Sequence, residues 1–488
     1  MKILSYLCPM RIFVVISFCF SLLVIISSCE RNQYTSSPSD KLTFSTDTVQ
    51  FDTIFTSIGS TTQYLTVINP HSKSMKIDEI VLARGDASVF RLNIDGCPGN
   101  QISDIEIAAE DSLFIFVEVT INPSENDMVE QDSIVFVSNG NAQDVDLVAF
   151  GQNVFLVNGE YVLNDTTWTP ERPILIYNSV LVEDDVTLQI EAGTQLHFHY
   201  GSSMLVNGTL KVNGEKDNMV VFQGDRLESA YDDIPGQWGA WITLEGGGIY
   251  LLGGVHFLPG SKYNEMRYAE VKNSIIGIRA DTVVTPGIPT VTIDNCIVQH
   301  MNVAGLYGAG AHITAENSVF LDCGQYTAAL FYGGLYNFKH CTFANYFAGS
   351  RQSSSLALNN YLVYDDGNGT VLDTRPFDAY FGNCIIYGNL SEEIMIDLDL
   401  EFGSDYQFEN SLIKTGEDIE NEHFVNVINN QDPKFIDPYD MYDFRLDSLS
   451  PAIDAGKIEI GQQVPTDFDG NSRLTDEGPD LGAFERIE

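Results

Sequence analysis

Ala315-Glu316-Asn317-Ser318-Val319-Phe320 belongs to a series of six similar stretches. Before it stand Val271-Lys272-Asn273-Ser274-Ile275-Ile276 and Ile293-Asp294-Asn295-Cys296-Ile297-Val298. After it come Phe338-Lys339-His340-Cys341-Thr342-Phe343, Phe381-Gly382-Asn383-Cys384-Ile385-Ile386 and Phe408-Glu409-Asn410-Ser411-Leu412-Ile413. Each reads as a bend residue, usually Asn, then a small Ser or Cys, then an apolar pair. The bends follow one another at 22, 22, 23, 43 and 27 residues. The gap of 43 is nearly two periods, and Leu358-Asn359-Asn360-Tyr361-Leu362-Val363 divides it into 20 and 23. Short strands and turns without helical periodicity, repeating near 22 residues, define the coils of a parallel β-helix. Asn suits the sharp bend because it tolerates the left-handed conformation. Coils stack about 4.8 Å apart, so Asn273, Asn295, Asn317, Asn360, Asn383 and Asn410 are expected to form an amide ladder up the stack.

The pattern extends toward the N-terminus in less regular form. Val186, Leu188 and Ile190 alternate, as strand residues do, and Trp238 is expected to pack across a coil junction. The repeats resemble the right-handed parallel β-helix superfamily that includes pectate lyases, over residues 180 to 435. Residues 153–435 are therefore assigned to the helix. The C-terminal text, Ser450-Pro451-Ala452-Ile453-Asp454-Ala455-Gly456, Asp467-Phe468-Asp469-Gly470-Asn471-Ser472-Arg473 and Gly478-Pro479-Asp480-Leu481-Gly482-Ala483-Phe484-Glu485, resembles the closing segment of bacterial surface β-helix proteins. Exposed strand edges aggregate, so 436–488 is read as a cap over the open end. Cys296 and Cys341 fall two coils apart and Cys384 a further two, beyond the reach of a disulfide. They read as buried small apolar groups.

Residues 41–152 read as a β-sandwich. Leu113, Ile115, Val117, Val119 and Ile121 alternate, and Asn139-Gly140 between two apolar runs marks a hairpin. The opening Asp47-Thr48-Val49-Gln50-Phe51-Asp52-Thr53 resembles the immunoglobulin-like domains that follow the lipid anchor in many Bacteroidetes surface proteins. Lys2 and Arg11 precede and flank an uncharged apolar run, Ile12 to Ile26, too short for a membrane span. Ile26-Ser27-Ser28-Cys29 resembles the lipobox of bacterial lipoproteins. That resemblance implies cleavage of residues 1–28, lipidation of Cys29 and a membrane partner. It places the chain as an outer-membrane lipoprotein, at the cell surface or on the periplasmic face. Residues 29–40, with Ser36-Ser37-Pro38-Ser39, read as a flexible tether.

The 68 acidic residues against 25 basic ones exclude nucleic acid as a partner and disfavour polyanionic substrates. Polygalacturonase-like enzymes show four motifs, of which only an Asp-Asp pair, Asp365-Asp366, occurs here, in a Gly-rich loop. No lyase-like cluster of bases stands out. The aromatic-rich stretch 326–346 offers Tyr326, Tyr332 and Tyr336 as stacking platforms for sugar rings, with core packing the alternative. His197 and His199 share one face of a strand and read as a surface pair. Asp467, Asp469 and Asp480 offer oxygens to calcium, the one cofactor implied, but lack the third ligand and distal Glu of an EF-hand loop. A turn salt-bridged to Arg473 is the favoured reading. Two functions follow: a non-catalytic surface protein that binds a polysaccharide or a cell-surface protein, or a polysaccharide-degrading enzyme. A structural envelope role is the third.

Overall fold

The computed structural model describes residues 34–123, 128–244, 247–281, 287–365 and 370–487. Residues 1–28, read above as a signal segment, and Cys29 and Asp366 lie outside the described residues. Two compact units divide at residues 153 and 154.

The first unit is a sandwich of two five-stranded sheets. One sheet centres on Ser112–Val119, whose Leu113, Ile115, Val117 and Val119 all point into the core. The other is antiparallel except that Thr48–Phe55 runs parallel to Asn141–Gln152. Asn139 and Gly140 both take positive φ, 48° and 74°, and join Ser138 to Asn141 as a two-residue turn. This geometry matches the right-handed twist of the paired strands, which is why Asn-Gly marked it.

The second unit is a parallel β-helix of three faces. The first face has ten parallel strands, from Thr166–Trp168 to Phe424–Val425. Two residues separate each of its later strands from the second face, for example before Val319–Leu321, Thr342–Asn345 and Ile385–Gly388. The third face includes Val255–Phe257, Ile276–Ala280, Ala304–Ala309, Tyr326–Phe331 and Leu356–Asn359. Inward residues stack in register. Phe338, Phe381, Phe408 and Phe424 form a column with ring centroids 5.1, 4.8 and 5.4 Å apart. Each such buried ring contributes about 1.5–3 kcal/mol. Trp238 is fully buried, stacks on Phe198 at 4.1 Å and donates its indole N–H to Lys272 O at 2.8 Å.

The corner between the first and second faces holds Asn295, Asn317, His340, Asn383 and Asn410, all at φ between 45° and 53°. The amide ladder forms in part: Asn317 Nδ2 donates to Asn295 Oδ1 at 3.2 Å, and Asn383 Nδ2 meets His340 Nε2 at 3.1 Å. Two predicted members stand elsewhere. Asn273 sits at the next corner, after Ala269–Lys272, and Tyr268 (φ 44°) takes the ladder position of its coil. Asn360 follows a strand of the third face and bonds to Asp399 O and Ser404 Oγ, both at 2.8 Å. The reason is register. Phe338 pairs directly with Phe381, so the 43 residues between His340 and Asn383 make one coil, lengthened by a hairpin of Tyr361–Asp365 with Thr370–Thr374. Cys341 and Cys384 consequently lie on adjacent coils, not two apart, because Thr342 pairs with Ile385. Both remain free and buried.

The closing segment lies along the flank of the stack rather than across its end. Thr466 O accepts from Asn317 Nδ2 at 2.7 Å, Lys457 N donates to Asn383 Oδ1 at 2.8 Å, and Asn410 Nδ2 donates to Ala455 O at 3.3 Å. Phe435, Phe444, Phe468 and Phe484 pack on Val319, Ala344, Ile385 and Leu412, which point outward from the second face. The corner amides therefore serve a seam as well as a ladder. The final coil closes the interior itself, with Phe424 buried and Ile419 and Val427 packed against the core.

Candidate binding face

The third face carries a row of ionic and aromatic side chains directed away from the core, buried at its centre, where His256 is 1% and Arg279 6% exposed. His256, Arg279 and Tyr307 are register partners on consecutive strands. All three nitrogens of Arg279 donate: Nε to Asp281 Oδ1 at 2.9 Å, Nη2 to Asp281 Oδ2 and Tyr250 OH at 2.6 Å each, and Nη1 to Leu251 O. Tyr250 and Leu251 come from a hairpin, Ala240–Thr243 with Ile249–Gly253, that emerges before the strand Val255–Phe257. The guanidinium lies between two rings, 4.3 Å from the Tyr250 centroid and 5.0 Å from that of Tyr307. Burial pushes the Asp281 carboxyl up, but bonds from His256 (3.2 Å), Arg279 and Tyr250 (2.5 Å) outweigh it and hold Asp281 well below the usual range. Burial and the bond to Asp281 push the Tyr250 hydroxyl up to about 12.

Aromatic rings continue in both directions. Tyr307 meets Phe331 edge-on at 5.6 Å, and Phe331 meets Tyr326 at 5.8 Å. Toward the N-terminus, at the corner of the second and third faces, Tyr200 meets Trp241 at 5.3 Å. One coil further, Tyr177 stacks flat on His199 at 4.0 Å, and Asp225 accepts from His199 Nδ1 at 2.6 Å. Tyr200 is 63% and Trp241 36% exposed. The strip spans six coils, a rise of about 24 Å at the usual strand spacing.

The predicted residues divide around this strip. Tyr326 belongs to it. Tyr332 stands at its far edge, with its hydroxyl on Asp373 and Arg375 3.8 Å over its ring. Tyr336 does not: it is 3% exposed, its hydroxyl bonds Gly333 O, and its ring packs on Phe377, because it points inward on the first face. Asp365 ends the strand Tyr361–Asp365 of the second hairpin. His197 is buried, not exposed, and burial lowers it to about 4, whereas His199 is half-exposed. Arg279, Tyr250, Tyr307 and Trp241 were missed, since they are scattered in sequence and only the strand register joins them.

The proposed calcium ligands are engaged with protein groups. Asp467 accepts from Asn471 N and Glu485 N, Asp480 from Asp454 N and Arg486 N, and Asp469 from Arg445. Arg473 donates to Glu485 at 2.9 Å rather than to the carboxylates of Asp467, Asp469 or Asp480, and Asp469 pairs with Arg445. Among the described residues no group of three or more His, Cys, Asp or Glu stands together to hold a metal ion.

No family model matches the chain, and no curated protein sequence matches it. Among solved structures, it is similar to pectate lyase Pel9A, at 11% identity and a TM-score of 0.29, over 69% of this chain and 88% of that one. It is also similar to a family 123 glycoside hydrolase from Clostridium perfringens, described for glycolipid glycan hydrolysis, at 7% identity and a TM-score of 0.17. That match covers 26% of this chain and spans only 30% of the hydrolase. Likenesses this slight carry no argument for activity; the parallel β-helix rests on the strand ladders themselves.

Proposed function

We propose that the chain is an envelope lipoprotein, anchored through Cys29, that binds a polysaccharide along the third face without cleaving it. The aromatic strip is the observation that carries this reading. A sugar ring has an apolar face of C–H groups and a rim of hydroxyls. Tyr and Trp side chains offer a flat apolar surface with a polar tip, which fits both. Exposed aromatic side chains grouped on one face mark an interaction site. Tyr200, Trp241 and Tyr250 are exposed here, the rings of Tyr177, Tyr307, Tyr326 and Phe331 are half-buried beside them, and the strip follows the helix axis as an extended polymer would.

The binding reading is preferred to the catalytic one because the charged groups on the face are committed to each other. Glycoside hydrolysis needs a carboxylic acid that keeps its proton and a second carboxylate across the scissile bond. Asp281 is held ionised, so it has no proton to give. A base for elimination needs a free lone pair or a free cation near it, and Arg279 is tied to Asp281, Tyr250 and Leu251.

The test is to incubate residues 30–488 with a panel of soluble polysaccharides, with and without calcium. Retention and new reducing or unsaturated chain ends are scored together. The reading predicts retention of at least one polysaccharide with no new ends. New ends on any of them would show that the face, or another site, is catalytic.

A further inference from the structure

We infer that the polysaccharide held on this face is neutral, and that the face rejects polyuronates and sulfated glycans. The inference rests on the glycan-binding reading above. It comes from a unit that occurs three times: an arginine lying on a tyrosine ring and paired with a carboxylate.

The central unit is Arg279, on Tyr250 and bonded through two nitrogens to Asp281. At the corner of the second and third faces, Arg226 lies 3.8 Å over Tyr231 and holds Glu228 through Nε and Nη2, at 3.0 and 2.9 Å. At the opposite edge, Arg375 lies 3.8 Å over Tyr332 with Asp373 at 3.7 Å. In each unit the guanidinium covers one side of the ring and fixes it, while the carboxylate cancels its charge.

Recognition of a sugar carboxylate or sulfate needs a cation with donors to spare, as in a bidentate arginine fork. Here Asp281 and Glu228 occupy the forks of Arg279 and Arg226, and Asp373 stands 3.7 Å from Arg375 as a looser counter-charge. An acidic sugar would meet the half-exposed Asp373 and the field of Asp281 and Asp225 beneath the surface, while the arginines of these three units are already paired. The formal net charge of -43 adds a repulsive field. Neutral hydroxyls face no such cost, and can donate to the half-exposed Asp373.

The test is affinity electrophoresis of the mature chain through gels containing galactomannan, hydroxyethyl cellulose or arabinan, and through gels containing polygalacturonate or dextran sulfate, at low and high salt. Retardation is expected in at least one neutral gel, nearly independent of salt, and in neither acidic gel. Tyr307→Ala should weaken the neutral interaction by about tenfold, the loss of one stacking contact. Asp373→Asn removes the charge from a pair that is about 40% exposed on both sides, so the fold should be kept. It should gain salt-sensitive retardation by polygalacturonate. Salt-sensitive retardation of the wild type by an acidic glycan would overturn the inference and leave glycan binding standing. No retardation in any gel would overturn the glycan-binding reading itself. Neutral retardation with no gain in Asp373→Asn would overturn the role given to the carboxylates.

Discussion

At Glu485 two effects oppose each other. Its carboxylate lies 2.9 Å from the Arg473 guanidinium, which favours the charged form. Burial and the neighbouring Asp480 favour the neutral form, and they win, raising the group to about 8. Burial is the larger cause, and the one buried arginine is shared among Asp467, Asp480 and Glu485. The sign of the consequence follows from linkage. A folded-state value raised above the ordinary 4.5 gives stability that is complete below pH ~4.5 and is lost as pH rises toward 8. The melting temperature should therefore fall between pH 5 and pH 8, and Glu485→Gln, which keeps the hydrogen bond without the charge, should flatten that fall. Equal slopes for the two proteins would assign the pH dependence elsewhere. Arg473 also donates to Asn317 Oδ1 at 2.8 Å, so this cluster links the closing segment to the asparagine corner.

Among elements, the hairpin Tyr361–Thr374 separates what was legible from what was not. The bends Asn295, Asn317, Asn383 and Asn410 were readable because one corner of every coil needs a left-handed residue, and Asn supplies it cheaply. Asn360 was misplaced because its distances of 20 and 23 imitate a period. An insertion as long as a coil is invisible to spacing; only pairing of Phe338 with Phe381 exposes it. Asn273 fell one corner out because its coil bends at Tyr268, a residue type that gives no turn signal. The hairpin is an excursion from the third face, with Leu362, Val363 and Leu372 about half exposed. Replacing residues 361–374 by a short turn should leave the melting transition within about 1 kcal/mol of the parent, since surface loops tolerate such changes. Loss of cooperative unfolding would mean that these residues form a coil after all. Apart from Tyr326, the binding strip was the least legible part: Tyr177, Trp241, Tyr250, Arg279 and Tyr307 share no motif, and a one-residue error in strand register would turn Arg279 and Tyr307 to the other side.

On the scale of the helical unit, its surfaces divide the work. The asparagine corner and outer second face are covered by the closing segment, through Phe435, Phe444, Phe468 and Phe484. The column Phe338–Phe381–Phe408–Phe424 fills the inside. The third face keeps Tyr200, Trp241 and Tyr250 at the surface and other rings half-buried beside them, where a rigid stack of strands fixes their spacing in advance and lowers the entropic cost of binding an extended chain. The claim that this face is the binding surface is tested most directly by hydroxyl-radical footprinting of the mature chain with and without the neutral polysaccharide that retards it most. The account predicts protection of Tyr200, Trp241, Tyr250 and Tyr307, with the closing-segment residues Tyr439 and Met441 unchanged. Protection of Tyr439 and Met441 with none on the strip would contradict it.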